Sequence, residues 1–473
     1  MKTHNKPDLH PDLHNAPIGP LIVKLTTPLM LAGFLTTTYS FADMIFASRL
    51  GSVQVASIAF IAPLFIMLQS IVMGISSGGV SVIAKLIGQG EKEQAGAYAT
   101  ELRQLILISS FAFAFGGLLL SHKLLSLMQI SGDMFEQSLI YTRIMFFSLP
   151  ATAVMNLYMT LYMSQGKMKI SSQISLLGLI FNVILNSIAI YILELGIDGL
   201  AYATLVSKIL LAIIIVILYH NKKHDFSIQW RCPEQFRAFS IRKHLIKVGA
   251  PLSFSLASVH FGTLLINVII APYGYEVVAA FAIGNQINSL MFMPTNRMGQ
   301  GIVPLIAQNW GANAMARVRT SIKYSLIYAA VIGVIAALII QIIKWPLGNF
   351  LAKDDTIVFG HVINYVSLVG WTVIAWAVFN ILQRVFESFQ KTSFVFWINI
   401  VRLWGIRVPG ILIFARFFPS LEEYGVWYTM FISNMATMVF ALIFFTIKIP
   451  PVLNQTNNQA AVKTTEDEHS ATS

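Results

Sequence analysis

The chain has 473 residues, of which 56% are hydrophobic and 11% charged. A soluble domain carries about 25% charged residues, so this composition excludes an ordinary soluble globule and points to a chain that crosses a bilayer many times. The net charge of +11 invites a nucleic-acid reading, but the basic residues gather in alternate loops, which is membrane topology rather than a ligand footprint. The single cysteine, Cys232, excludes a disulfide framework and a thiolate metal cluster.

Windows of about 20 apolar residues predict twelve spanning helices, starting near residues 20, 53, 96, 137, 170, 199, 246, 276, 320, 358, 394 and 423. The runs are too long for barrel strands and do not alternate, so the fold class is an all-α polytopic membrane protein. Residues 1–18 form a polar tail, and the apolar run behind it is too long for a signal-peptide core. The tail's PDLHPDLH duplication gathers two His and two Asp, and reads as a disordered segment more readily than as a metal site.

The first span, residues 21–50, carries one carboxylate, Asp43, deep in its apolar run. An ionised Asp at the bilayer centre costs about 2.5–3.5 kcal/mol on insertion scales, so an acid kept there is expected to bind a proton or a cation. Tyr39 lies four residues earlier, on the same helical face. Pro28 removes a backbone hydrogen bond and is the expected bending point of this helix. Lys24 is placed to snorkel to the headgroups.

Loops after even-numbered spans hold Lys92, Lys167, Lys169, Lys222, Lys223, Arg231, Arg237, Arg242, Lys243, Arg317, Arg319 and Lys391. The opposite loops hold Arg49, Lys123, Lys344, Lys353 and Arg416, so both termini are expected on the cytoplasmic side. The basic segment 221–244 divides the chain into lobes at 19–220 and 245–449, and residues 450–473 read as a disordered tail. The lobes repeat at an ungapped offset of 223 (251 − 28). It pairs Pro28 with Pro251, Gly51 with Gly274, Gly78 with Gly301 and Gly88 with Gly311. Six spans separate the copies, so both keep one orientation and are expected to be related by a pseudo-two-fold axis along the membrane normal. Asp43 matches Ile266, which confines the acid to the first lobe.

The stretches ADMIFASRLGSVQVASIAFIAPLF, GISSGGVSVIAKLIGQGEKEQA and GIVPLIAQNWGAN resemble the multidrug and toxic compound extrusion (MATE) transporters. VGAPLSFSLASVHFGTLLINVIIAPYGYEVVAAFAIGNQI, in the second half, is most similar to their DinF-like branch, as is Arg402 in helix eleven. The resemblance implies twelve helices in two lobes in a bacterial inner membrane. It implies alternating-access export of drugs or organic cations in exchange for protons or sodium ions, by a monomer without a cofactor. The family's helix-one acid falls on Asp43, with polar partners on Tyr39, Asn182 and Thr204. A second acid found in some relatives falls on Asn186, which weakens a sodium site and makes proton coupling through Asp43 the leading expectation.

Asn182 and Asn186 share a face of helix five and, with Tyr39, Asp43 and Thr204, are expected to form one polar pocket; the plainer reading is interhelical hydrogen bonding. Helix eight mixes Gln286, Asn288, Met291, Met293 and Arg297, which suits a polar cavity wall with adaptable Met side chains as well as it suits helix packing. Glu387 is the candidate partner of Arg297. Arg402 and Arg407 read as structural arginines, and His260 as a packing residue. Two rivals stand beside the antiporter. A lipid-linked saccharide flippase of related architecture draws support from Arg297, Arg402 and Arg407. A polytopic membrane enzyme lacks support from any HExxH, CxxC or phosphate-cradling glycine loop.

Overall fold

A computed structural model describes residues 13–127, 133–221, 224, 226–229, 231–352 and 355–453. Lys222, Lys223, Lys353, most of the PDLHPDLH duplication and residues 454–473 lie outside the described residues. The described chain is helical: α1 (Ile18–Leu50), α2 (Ser52–Gly88), α3 (Lys92–Leu127), α4 (Asp133–Ser164), α5 (Lys169–Ser187), α6 (Ile197–His220) and α7 (Ala238–Ile270). It continues with α8 (Tyr275–Gly311), α9 (Met315–Ala352), α10 (Thr356–Val369), α11 (Thr372–Ser388), α12 (Thr392–Ile400), α13 (Val408–Phe417) and α14 (Tyr424–Lys448). Two π-helical turns interrupt this pattern, Ile188–Ile192 after α5 and Val401–Arg407 between α12 and α13.

Eleven stretches are long and apolar enough to cross a membrane, and α10 with α11 makes a twelfth, bent by 53°. That bend replaces the single straight span expected from residue 358. The carbonyls it frees find side-chain donors: Gln341 Nε2 donates to Ser367 O at 3.4 Å, and Thr372 Oγ1 donates to Val369 O at 2.6 Å. Broken helices are tolerated at membrane depth only when neighbours re-satisfy such groups. The outward faces are apolar too. Ile108, Phe111, Phe115 and Leu119 form an exposed stripe along α3, a surface suited to lipid and not to water.

The internal repeat is visible in the elements. Helices α2 and α8 both have 37 residues and start 223 apart (275 − 52). The same offset separates the starts of α3 and α9, α4 and α10, and α5 and α12. Gly51 and Gly274, the paired residues before α2 and α8, have φ of 133° and 111°. This is a region that a side-chain-bearing residue adopts only with strain, so glycine recurs at both turns.

Two compact units emerge, one of residues Lys24–His260 and the other of residues 13–23 with Phe261 onward. The first half of α7 belongs to the first unit because small residues let it meet α2 backbone to backbone. A Cβ on Gly78 would lie 2.9 Å from Gly249 Cα, and Ser253 Oγ donates to Ile71 O at 2.7 Å. Lipid offers little hydrophobic drive between helices, so close approach of this kind supplies much of the association. The first turns of α7 dock on α3: buried Glu101 accepts from Arg242, and Tyr98 shares a 2.9 Å hydrogen bond with His244. The second unit has a core of aromatic rings, with Trp427 stacked on Phe281 and edge-on to Tyr365 at 4.8 Å.

Candidate functional site

Helix α5 buries Ser171, Ile174, Gly178, Asn182 and Asn186, a stripe at three- and four-residue spacing. Gly178 admits Leu211 of α6, which sets α5 and α6 close together. The stripe's end meets Asp43 on α1. Asp43 Oδ1 accepts a hydrogen bond from Asn182 Nδ2 at 2.9 Å and another from Asn186 Nδ2 at 2.7 Å. Asn186 also donates to Asn182 Oδ1 at 3.1 Å, so both amides are held in place. Hydrogen bonds to a charged acceptor are worth about 1.5–3 kcal/mol each, which offsets much of the cost of an intramembrane carboxylate.

Thr204, on α6, is buried, and with Asn182 and Asp43 it flanks the Tyr39 hydroxyl, which is itself buried without a hydrogen bond of normal geometry. The five expected residues of the first lobe therefore come together. The oxygen of Asn186 is a second buried acceptor without a partner. In α1 the hydroxyls of Thr36, Thr37, Thr38 and Ser40 all donate to carbonyls four residues back, which softens the helix just before the acid. Pro28 lies about four turns before Asp43, in a helix unbroken from Ile18 to Leu50.

One neighbour of the acid escaped the sequence reading. Lys208 of α6 places Nζ 4.8 Å from the centre of the Tyr39 ring, and its charge is felt by Asp43. The signal was present: a lysine inside the apolar run of α6, one turn beyond Thr204 and so on its face. Lys208 adds a basic side chain to the pocket. Among the described residues no group of three or more His, Cys, Asp or Glu side chains has the spacing to hold a metal ion.

The helix-eight set divides between two faces. Asn288 is buried and donates to Tyr365 Oη at 3.3 Å, while Tyr365 donates to Asn285 Oδ1 at 3.0 Å. Met291, one turn on, packs against the core of the second unit. Gln286 is exposed, and Met293 and Arg297 follow on its side of the helix at spacings of seven and four. The period of 3.6 separates positions 286 and 288 by about 200°, so one cavity wall never contained both. The expected pairing of Arg297 with Glu387 also fails. Arg297 donates to Gln300 Oε1 at 3.3 Å, whereas Glu387 is bonded by Arg384, one turn earlier on its own helix, at 2.8 Å.

Arg407 donates to Ser433 Oγ at 2.9 Å and to Asn434 Oδ1 at 2.6 Å, both neutral partners. Arg402 is buried with its guanidinium 4.9 Å above Trp376 and 5.7 Å from Phe379. Trp376 and Asn380 both donate to Asn296 Oδ1, which ties α8 to α11 beside these arginines.

The fold agrees with what comparison with known proteins finds. The family model for MatE matches residues 28–188 and again 251–413, one copy in each half. A probable multidrug resistance protein, YoeA of Bacillus subtilis, is 25% identical over 419 residues, 85% of this chain and 87% of its own length. An FAD transporter of Shewanella oneidensis is 24% identical over 359 residues, covering 73% of this chain and 77% of that one. Among solved structures, a MOP superfamily transporter from Pyrococcus furiosus, described as having a binding pocket of reverse polarity, superposes with a TM-score of 0.88 at 22% identity. That match covers 93% of this chain and 98% of that one. An outward-facing MATE family multidrug resistance transporter gives 0.87 at 23% identity over the same shares. The chain, matched by the MatE model in both halves, belongs to that family of polytopic multidrug efflux transporters.

Proposed function

We propose that this protein is a secondary antiporter that exports amphipathic organic compounds, organic cations among them, with Asp43 as the group that binds the coupling ion. The observation that carries the reading is the intramembrane carboxylate held by two amide donors, Asn182 at 2.9 Å and Asn186 at 2.7 Å. A carboxylate has little reason to sit in an apolar helix unless its charge is switched. The coupling ion we favour is the proton. Both amides present nitrogen to the acid, and Lys208 brings a basic side chain beside it, an arrangement poor in the oxygen ligands a hard cation needs. A sodium ion would instead draw on oxygens, for which the vacant Asn186 Oδ1, Tyr39 Oη and Thr204 are the candidates.

In the cycle we propose, Asp43 accepts a proton on the outward side and loses its negative charge, so a bound cation is released and the amide donors lose their anionic acceptor. The carrier resets, and Asp43 discharges to the cytoplasm. The ion drives export only through its different affinity for the two states. The test is efflux of a cationic fluorescent dye from reconstituted vesicles under separate proton and sodium gradients, for the wild type and Asp43→Asn. Efflux driven by the proton gradient and lost in the variant is the expected result. Efflux that needs sodium alone reassigns the ion, and a dye gradient still formed by Asp43→Asn defeats the role of Asp43.

A further inference from the structure

The second unit holds four guanidinium groups in α8, α11 and the π turn that follows α12: Arg297, Arg384, Arg402 and Arg407. Among the described residues, the one carboxylate within ion-pair reach of them is Glu387, which bonds Arg384. The others lean on neutral groups: Gln300 for Arg297, Ser433 and Asn434 for Arg407, and aromatic faces for Arg402. Arginine does not discharge in a protein, so these groups leave an excess of fixed positive charge in an intramembrane environment.

The arrangement is also incomplete as hydrogen bonding. Arg402 is 4% exposed, and its Nε is buried with no partner; the Nε of Arg384 is in the same condition. An unmet charged donor in a dry interior is costly, and structural arginines are normally satisfied on all sides. The backbone brings the two donors of the π turn together. In an α-helix residues five apart point about 140° away from each other, whereas a π turn bonds residue i to i+5 and stacks Arg402 and Arg407. Beside them lies a ring surface: Trp376, under Arg402, sits 5.1 Å from Phe292 of α8.

We propose that Arg402 and Arg407, with the rings of Trp376 and Phe292, are a binding site for an amphipathic aromatic anion, a carboxylate, sulfonate or phosphate ester. The anionic group takes the vacant donor of Arg402, with Arg407 supplying field, and the ring packs against Trp376 and Phe292. Guanidinium forks suit such oxyanions, and apolar rings beside them supply the remaining contact. The proposal rests on the efflux reading only for the ligand's being transported; its binding does not.

The test is equilibrium binding to the purified full-length protein in detergent, with no ion gradient. The probes share one ring system and differ in charge: 2-naphthoate, 2-naphthamide and 2-naphthylmethylammonium. For the wild type, naphthoate should bind at least tenfold more tightly than the amide, the ammonium should bind most weakly, and only the naphthoate affinity should fall steeply with salt. Arg402→Gln should cost naphthoate about tenfold or more and leave the amide unchanged, with Arg402→Lys intermediate. Equal affinities across the wild-type series, or tightest binding of the ammonium, overturn the proposal without any variant having to fold. So does a folded Arg402→Gln that keeps full naphthoate affinity. Asp43→Asn should bind naphthoate as the wild type does, so that a failure of the coupling role and a failure of this site give different results.

Discussion

A single methyl group on Gly74 probes the contact that attaches α7 to the first unit. A Cβ built there falls 2.2 Å from the Ser253 backbone N and 2.4 Å from its Cα, where ordinary van der Waals contact begins at 3.4 Å. Because the atoms met are backbone, no rotamer relieves the clash, and α2 and α7 must separate by about 1 Å or more. Overpacking of this kind costs about 1–3 kcal/mol, and separation also stretches the 2.7 Å bond from Ser253 Oγ to Ile71 O, worth about 0.5–1.5 kcal/mol. The gain in helix propensity from Gly to Ala returns about 0.5–1 kcal/mol. The fair control is Gly116→Ala on α3, where a Cβ meets nothing within 4 Å and only the propensity gain remains. The two variants should therefore differ by about 2–4 kcal/mol in favour of Gly116→Ala. At roughly 2–4 °C per kcal/mol, Gly74→Ala should melt at least about 4 °C below Gly116→Ala in the same detergent. A Gly74→Ala protein that melts with or above the control would show that α2 and α7 are not in backbone contact, and the account of the first unit would fall.

Two further outcomes test the sites. Lys208→Met removes the basic group beside Asp43, and an ammonium there acts with about 1–4 kcal/mol at protein-like dielectric, so a cationic dye should bind about tenfold more tightly; unchanged affinity by fluorescence titration would remove Lys208 from the pocket's electrostatics. Cys232 is the single cysteine, and burial, reinforced by the nearby Glu101 carboxylate, raises its thiol above the ordinary value. A raised value means less thiolate at neutral pH, so a membrane-impermeant maleimide should react slowly at pH 7, about tenfold faster per pH unit below the thiol's own value, and only in inverted vesicles. Labelling of intact cells would reverse the cytoplasmic placement of this segment.

Much of this molecule is legible in its residue order because the bilayer imposes few choices. Length and apolarity set where the spans run, as α8 at Tyr275 and α5 at Lys169 illustrate against starts expected near 276 and 170. The repeat of prolines and glycines forecasts the 223-residue offset of the helices, since a left-handed turn such as Gly51 or Gly274 admits little else. Asp43 stands out for a related reason: a lone acid in an apolar run is costly wherever the helix packs. Spacing along one helix also places Asn182 and Asn186 on a common face. Which face meets which neighbour is another matter, because it depends on contacts between residues far apart in the chain. Asp43 and Asn186 are 143 residues apart, and only the packing of α1, α5 and α6 brings them together with Lys208. The same limit explains Arg297 and Glu387: sequence shows two opposite charges on different helices, but the nearer Arg384 takes the carboxylate. The bend between α10 and α11 and the π turn under Arg402 are likewise tertiary outcomes, stabilised by Gln341, Asn434 and the aromatic faces of α11. Residue order determined the spans, the repeat and the acid; packing alone decided the acid's partners and the neighbours of the arginines, because a helix's own period says nothing of the surface it will meet.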